Sequence, residues 1–227
     1  MKIEELRTPA LQVALDFTSL NAALSVLRQL LDLGIGIFEV GTPLIKSEGL
    51  RSVSCVRSLV GPGVFVLADT KTVDVGAVEA EVAIGAGADL ITVLAVADDA
   101  VVSSALARAR ELGGDLVVDF IGFRGDVVGR VKELRDLGVK AVNLHVGIDV
   151  QRSLGIRATS LVDLVREVKR EVPDVLVSAS GGIRAQDIPR FLEVGVDIVV
   201  VGGAITRSRN PREEALECLR KLREFSK

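Results

Sequence analysis

The feature that most constrains this chain is an alternation repeated along its whole length. Short runs rich in Val, Ile and Leu are followed by longer stretches whose apolar residues recur at helical spacing. Strand-like runs occupy 11–17, 35–41, 64–70, 90–96, 116–122, 141–147, 175–180 and 198–203. Helical periodicity marks 20–33, 75–87, 98–112, 127–137, 160–171 and 211–225. Eight strand-first units predict α/β architecture: a closed (β/α)8 TIM barrel, in which closure removes the exposed edges that an open sheet would carry. No GxGxxG phrase follows the first strand, which argues against an open dinucleotide-binding sheet.

The chain's 227 residues suit one barrel, so 1–227 is expected to form a single catalytic domain. Apolar residues make up 48% of the chain and aromatics only 3%, so Val, Ile, Leu and Ala must build the core, as in buried parallel strands. Glycines in the phrases 85–89, 137–139 and 194–197 fall where helices can stop before the next strand. Pro211 suits the first turn of the last helix, where a missing N–H goes unnoticed.

A net charge of −3 without long blocks of either sign speaks against a polynucleotide or a membrane surface as partner and favours a small metabolite. Cys55 and Cys218 show no metal-ligand spacing and read as two free thiols, which fits a reducing cytoplasm. The segment 1–7 contains acidic residues and lacks the apolar core of an export signal. Gly or charge interrupts every apolar run before the roughly 20 residues that span a bilayer. A soluble cytoplasmic protein is expected.

In a barrel the active site gathers at the C-terminal ends of the strands. Polar residues crowd there: Asp16, Glu39, Asp69 with Lys71, Asp119, His145 and Ser180 close six different strands, and Asp16, Asp119 and Ser180 are expected to bind the substrate. Asp16 or Asp119 taken alone also suits a helix N-cap. Carboxylates converging on one pocket repel each other unless a cation or lysine offsets them, and hard oxygen ligands suit Mg²⁺. Glu39 and Asp69, on adjacent strands, form the expected metal pair. If the third strand continues, Asp69 and Lys71 point to the same side, which holds Lys71 charged. It could then stabilise an enediolate oxygen or deliver a proton; the alternative is a structural ion pair at the rim. His145, the only histidine, faces the same mouth and is expected to move protons near neutrality. The pairs Gly181-Gly182 and Gly202-Gly203 lie in the two loops where barrels commonly cradle phosphate, so a phosphorylated substrate is expected to meet Gly181, Gly182, Ile183, Gly203 and Ala204.

Ala14-Leu15-Asp16, Glu39-Val40-Gly41-Thr42-Pro43, the DxKxxD of 69–74, His145-Val146-Gly147-Ile148-Asp149 and Gly202-Gly203-Ala204-Ile205-Thr206 follow one another in order. Together they resemble the orotidine-monophosphate decarboxylase superfamily, and within it the 3-hexulose-6-phosphate synthase branch. The resemblance spans residues 10 to 210, and five ordered motifs make it specific. It implies a Mg²⁺-dependent, reversible aldol reaction of formaldehyde with D-ribulose 5-phosphate to D-arabino-hex-3-ulose 6-phosphate. It also implies a homodimer in which Asp74 reaches the neighbouring subunit's site.

The nearest alternative is the 3-keto-L-gulonate-6-phosphate decarboxylase branch, which usually carries Glu at 119, Arg at 148, Thr at 180 and Arg at 203. Asp119, Ile148 and Gly203 side with the synthase. Ser180 replaces the synthase's usual Ala and keeps a hydroxyl, leaving side activity on the other substrate open. Gly203 also weakens an orotidine-5'-phosphate decarboxylase reading. An alternative of another class is a catalytically silent sugar-phosphate-binding protein, against which the full set of chemical groups argues.

Overall fold

The computed structural model describes residues 1–225. Eight parallel strands close on themselves in sequential order: β1 (Ala10–Leu15), β2 (Ile37–Val40), β3 (Phe65–Thr72), β4 (Leu90–Leu94), β5 (Asp115–Asp119), β6 (Ala141–His145), β7 (Leu176–Ser180) and β8 (Ile198–Val201), with β8 paired to β1. The expected (β/α)8 barrel is the fold.

Around it lie α1 (Leu20–Arg28), α2 (Thr42–Glu48), α3 (Arg51–Leu59), α4 (Gly76–Gly85), α5 (Asp99–Glu111), α6 (Val127–Asp136), α7 (Ile148–Leu154), α8 (Val162–Glu171), α9 (Ile188–Leu192), α10 (Gly203–Thr206) and α11 (Pro211–Phe225). The last helix spans the residues that its periodicity predicts. Sequence periodicity did not mark α2, α3, α7, α9 and α10; four of these five have seven residues or fewer, too few to establish a helical repeat.

Most strands stop one or two residues before their apolar runs end. At Asp16, Gly41, Phe120, Val146 and Gly202 the chain leaves the ladder and turns into the mouth, so sequence and hydrogen bonding part company there. β5 stops three residues early, β7 ends where its run ends, and β3 runs past its predicted end to Thr72.

Two apolar layers hold the fold. The larger lies between strands and helices and includes Val13, Phe38, Val66, Ile91, Val118, Val177 and Val199, all nearly inaccessible. The smaller fills the barrel: Ala10, Ile37, Phe65, Leu90, Ala141 and Ile198 pack near its N-terminal end, where Ile3, on a single 3-10 turn (Ile3–Glu5), adds a fully buried side chain. Full burial of such an aliphatic side chain stabilises by roughly 1.5–3 kcal/mol. Higher in the barrel the buried residues turn polar: Gln12, Glu39, Asp69, Thr92, Asp119, Asn143, Ser178 and Ser180. The two thiols stay free, and burial pushes Cys218 up to about 12.

Candidate active site

Asp16 follows β1, and its carboxylate lies against β2's exit. A Cβ on Gly41 would meet Asp16 Oδ1 at 2.2 Å, so glycine at 41 leaves the room that this carboxylate occupies. Neither Asp16 nor Asp119 caps a helix, since Ser19 stands at the start of α1 and Asp126 caps α6. Glu39 is buried on β2 and accepts from Gln12 Nε2 at 2.7 Å. Burial raises Glu39 well above the usual carboxylate range, and the charges of Asp69 and Asp16 add to the shift. Asp16 is raised too, by burial and then by Asp69.

The segment Asp69-Thr70-Lys71-Thr72 does not continue as a regular strand. The pairing of β3 with β4 jumps from Ala68↔Ile91 to Thr72↔Val93, and Lys71 has φ +49°, a left-handed conformation rare for a side-chain-bearing residue. Asp69 and Lys71 meet through this bulge and not through simple alternation, which corrects the premise drawn from sequence. Threonines hold the bulge in place. Thr92 Oγ1 accepts from Lys71 N at 2.9 Å and donates to Asp69 Oδ1 at 2.8 Å, while Thr70 Oγ1 donates to Thr92 O at 2.8 Å. Thr42 Oγ1 lies 2.8 Å from Asp69 Oδ2.

Lys71 Nζ stands 2.5 Å from Asp69 Oδ2 and 3.9 Å from Asp119 Oδ2. For Asp69, burial pushes the carboxyl up, but the charge and hydrogen bond of Lys71 with the two threonines outweigh it and hold it low. For Lys71, burial pulls the amine down, yet Asp69 and then Asp119 outweigh it and keep it charged.

Asp119, expected to bind substrate, instead lies beneath the cavity surface, 2% exposed, where His145 Nδ1 is 2.9 Å from its Oδ2. Ile121 N donates to Asp119 Oδ1 at 2.8 Å. A carboxylate can only accept, so the neutral imidazole carries its proton on Nδ1 and presents an unprotonated Nε2 as a proton acceptor.

Opposite this group lies the glycine cradle. Gly181 has φ +119° and an added Cβ would meet Val146 O at 2.5 Å, so the β7 exit can turn here only as glycine. One cavity of about 550 Å³ gathers Asp16, Glu39, Asp69, Lys71, His145, Ser180, Gly181, Gly182, Ile183, Gly203 and Ala204. Asp74 does not line it: its carboxylate accepts from Val75 N at 2.7 Å beside the exposed Val73 and Val75.

The same cavity holds residues that sequence reasoning missed. Arg157, Arg184 and Arg207 approach the cradle, and Arg207 Nε lies 3.7 Å from where a Cβ on Gly203 would stand. Arg184 and Arg207 form no ion pair among the described residues. For Arg184 and Arg207 the available signal was their placement in the loops after strands seven and eight, beside the glycine pairs; Arg157, after strand six, carried no such signal. Asn143 and Gln151 also line the cavity.

Residues 9–218 match the family described as Orotidine 5'-phosphate decarboxylase / HUMPS family. The chain belongs to this family. It is 39% identical over 207 residues, 91% of this chain and 96% of the relative, to 3-hexulose-6-phosphate synthase from Mycobacterium gastri. The crystal structure of 3-hexulose-6-phosphate synthase from Salmonella typhimurium is similar with a TM-score of 0.88 and 32% identity, covering 95% of this chain and 99% of that one. A 3-keto-L-gulonate-6-phosphate decarboxylase from Vibrio cholerae aligns with a TM-score of 0.83 at 28% identity, covering 96% and 99% of the two chains. Among the described residues no helix is long and apolar enough to cross a membrane.

Proposed function

We propose that this chain is a cytoplasmic 3-hexulose-6-phosphate synthase, an aldolase-type lyase that joins formaldehyde to D-ribulose 5-phosphate and runs the reverse cleavage. The observation that carries this reading is the pairing of Lys71–Asp69 with His145–Asp119 at one mouth, facing a glycine and arginine cradle.

Glu39 and Asp69 fit a divalent cation such as Mg²⁺. Burial and the charges of Asp69 and Asp16 work against ionised Glu39, an opposition a bound cation would relieve, and hard carboxylate oxygens are the donors Mg²⁺ prefers. Among the described residues no three His, Cys, Asp or Glu side chains converge as a metal cage. Glu39 and Asp69 would supply the one or two carboxylates by which Mg²⁺ is usually held. The chemistry such an ion supplies when bound is Lewis-acid polarisation of a sugar oxygen.

The protein's own groups do the rest. The backbone N–H groups of Gly181–Ile183 and of Gly203 and Ala204 receive the phosphate, with Arg184 and Arg207 offsetting its charge. His145 Nε2 takes the C1 proton of ribulose 5-phosphate. Lys71 holds positive charge beside the enediolate oxygens, Asp16 and Ser180 contact the sugar, and Asp119 keeps the imidazole in the required tautomer. C1 then attacks formaldehyde carbon, the C=O electron pair moves to oxygen, and the proton returns there as a hydroxymethyl group forms.

The working unit in this reading is a homodimer. Val73, Val75, Val78 and Val82 are each about half exposed at the end of β3 and on α4, an apolar surface flanking Asp74 that a second subunit would cover. Asp74 then serves the partner's site. A coupled assay with formaldehyde and ribulose 5-phosphate, with and without EDTA, tests the reading. Metal-dependent consumption of both is expected. Its absence, or decarboxylation of 3-keto-L-gulonate 6-phosphate instead, would overturn it.

A further inference from the structure

Beneath the charged mouth the barrel carries uncharged polar side chains that touch its functional groups: Gln12 under Glu39, Thr92 under Asp69 and the Lys71 backbone, and Asn143 under both Asp119 and Ser180. Asn143 is the one whose side chain bonds the side chains of two mouth residues on two different strands. It is 8% exposed on β6, two residues before His145.

Its amide nitrogen donates to Asp119 Oδ2 at 3.3 Å and to Ser180 Oγ at 3.0 Å, so both protons are used. Its oxygen lies 3.1 Å from Ser178 Oγ and shares that hydroxyl's one proton with Val142 O at 3.0 Å. The orientation of the amide follows from chemistry: a carboxylate only accepts, so the NH2 end must face Asp119 and the carbonyl end must face the Ser178 hydroxyl.

This has a consequence for Ser180. Its Oγ already receives a proton from Asn143, so its own hydrogen must point elsewhere, and among the described residues it meets no acceptor. Ser180 lines the cavity and stands in register with His145 across β6 and β7.

We propose that Asn143 is a positioning residue that turns the Ser180 O–H toward the cavity while fixing Asp119 behind His145. A proton acceptor, His145 Nε2, and a proton donor, Ser180 O–H, then face the same substrate, the donor aimed at a substrate oxygen that gains negative charge. The inference rests on the aldol reading above.

The test is a double-mutant cycle on the full chain with metal present. Asn143→Ala is expected to lower kcat roughly 10-fold while KM for ribulose 5-phosphate stays within about 3-fold, the signature of an interaction made in the transition state. Ser180→Ala alone is expected to lower kcat by about 5-fold. In the Asn143→Ala background the same change is expected to cost less than about 2-fold, because the hydroxyl is no longer held in its donating orientation. If Asn143→Ala does not fold, Ser178→Ala releases only the carbonyl end of the amide and carries the same cycle, with an expected loss of about 3-fold and a reduced Ser180 penalty. Penalties that multiply, or turnover equal to wild type in the Asn143 or Ser178 variant, overturn the inference. If wild type condenses the substrates and the variants match it, this inference alone fails. If wild type does not condense them, the aldol reading fails with it.

Discussion

At the N-terminal end of the barrel, Ile3, Ala10, Ile37, Phe65, Leu90 and Ile198 fill the interior with apolar volume. At the C-terminal end, the residues that close those strands and their neighbours include Asp16, Glu39, Asp69 with Lys71, Asp119 and His145, several of them buried. One end minimises free energy. The other holds like charges together, a left-handed lysine, and Arg184 and Arg207 without an ion pair among the described residues, features that persist only where the surrounding structure imposes them. The contrast teaches where stability and activity should separate under mutation.

The largest separation is expected at Glu39. Glu39→Gln keeps an oxygen for Gln12 but loses the charge a cation needs, so kcat is expected to fall by roughly 10³-fold. Its effect on stability should have the opposite sign. An acid whose folded pKa is raised is disfavoured when ionised, so its favourable contribution is present below the ordinary value of 4.5 and is lost as pH rises through the folded value. At pH 7 the glutamine variant is therefore expected to melt no lower than wild type, with its advantage shrinking toward pH 4.5. Thermal melts at several pH values check both parts.

Ile3→Ala probes the opposite end. Removing this fully buried side chain is expected to cost about 2–4 kcal/mol in urea or thermal unfolding while kcat stays within about 2-fold. A large loss of turnover in folded protein would mean the two ends are coupled.

Arg207→Ala is expected to raise KM for the sugar phosphate about 10-fold with kcat little changed, the loss of one charge-assisted contact. An unchanged KM would remove Arg207 from the phosphate cradle.

The smallest expected effect tests a flaw at the apolar end. Asp115 is fully buried, and its Oδ2 has no hydrogen-bond partner among the described residues. Burial raises its carboxyl, so by the same sign its ionisation costs stability as pH rises above about 3.8. Asp115→Asn is expected to reduce the loss of Tm between pH 4 and pH 7 by about 2 °C. An identical pH profile would show that the carboxylate is satisfied.

The same contrast explains what was legible in the sequence. The apolar end announces itself through strand-like runs, and Asp69, Lys71 and His145 stand out because they interrupt such runs at their C-terminal ends. The bulge at Lys71 did not show, because a two-residue repeat carries no mark of left-handed backbone, and only the threonines at 70, 72 and 92 hinted at a need for extra hydrogen bonds. Arg157, Arg184 and Arg207 were missed because loop residues have no periodicity and reach the cavity only through the turns that carry them. Gln12, Asn143 and Ser178 were overlooked as single polar residues inside apolar strands. Their signal was parity: Asn143 and Ser178 each stand two residues before a mouth residue, on the same face of the strand.

The central claim is that His145, held by Asp119, removes a proton from C1 of the sugar phosphate in a metal-loaded mouth. Incubating ribulose 5-phosphate with the enzyme and Mg²⁺ in D2O, without formaldehyde, tests it by following the C1 proton signals in the NMR spectrum. Wild type is expected to exchange one C1 proton for deuterium and folded His145→Ala to leave it in place. Exchange at the wild-type rate in the alanine variant, or none in the wild type, would contradict the account.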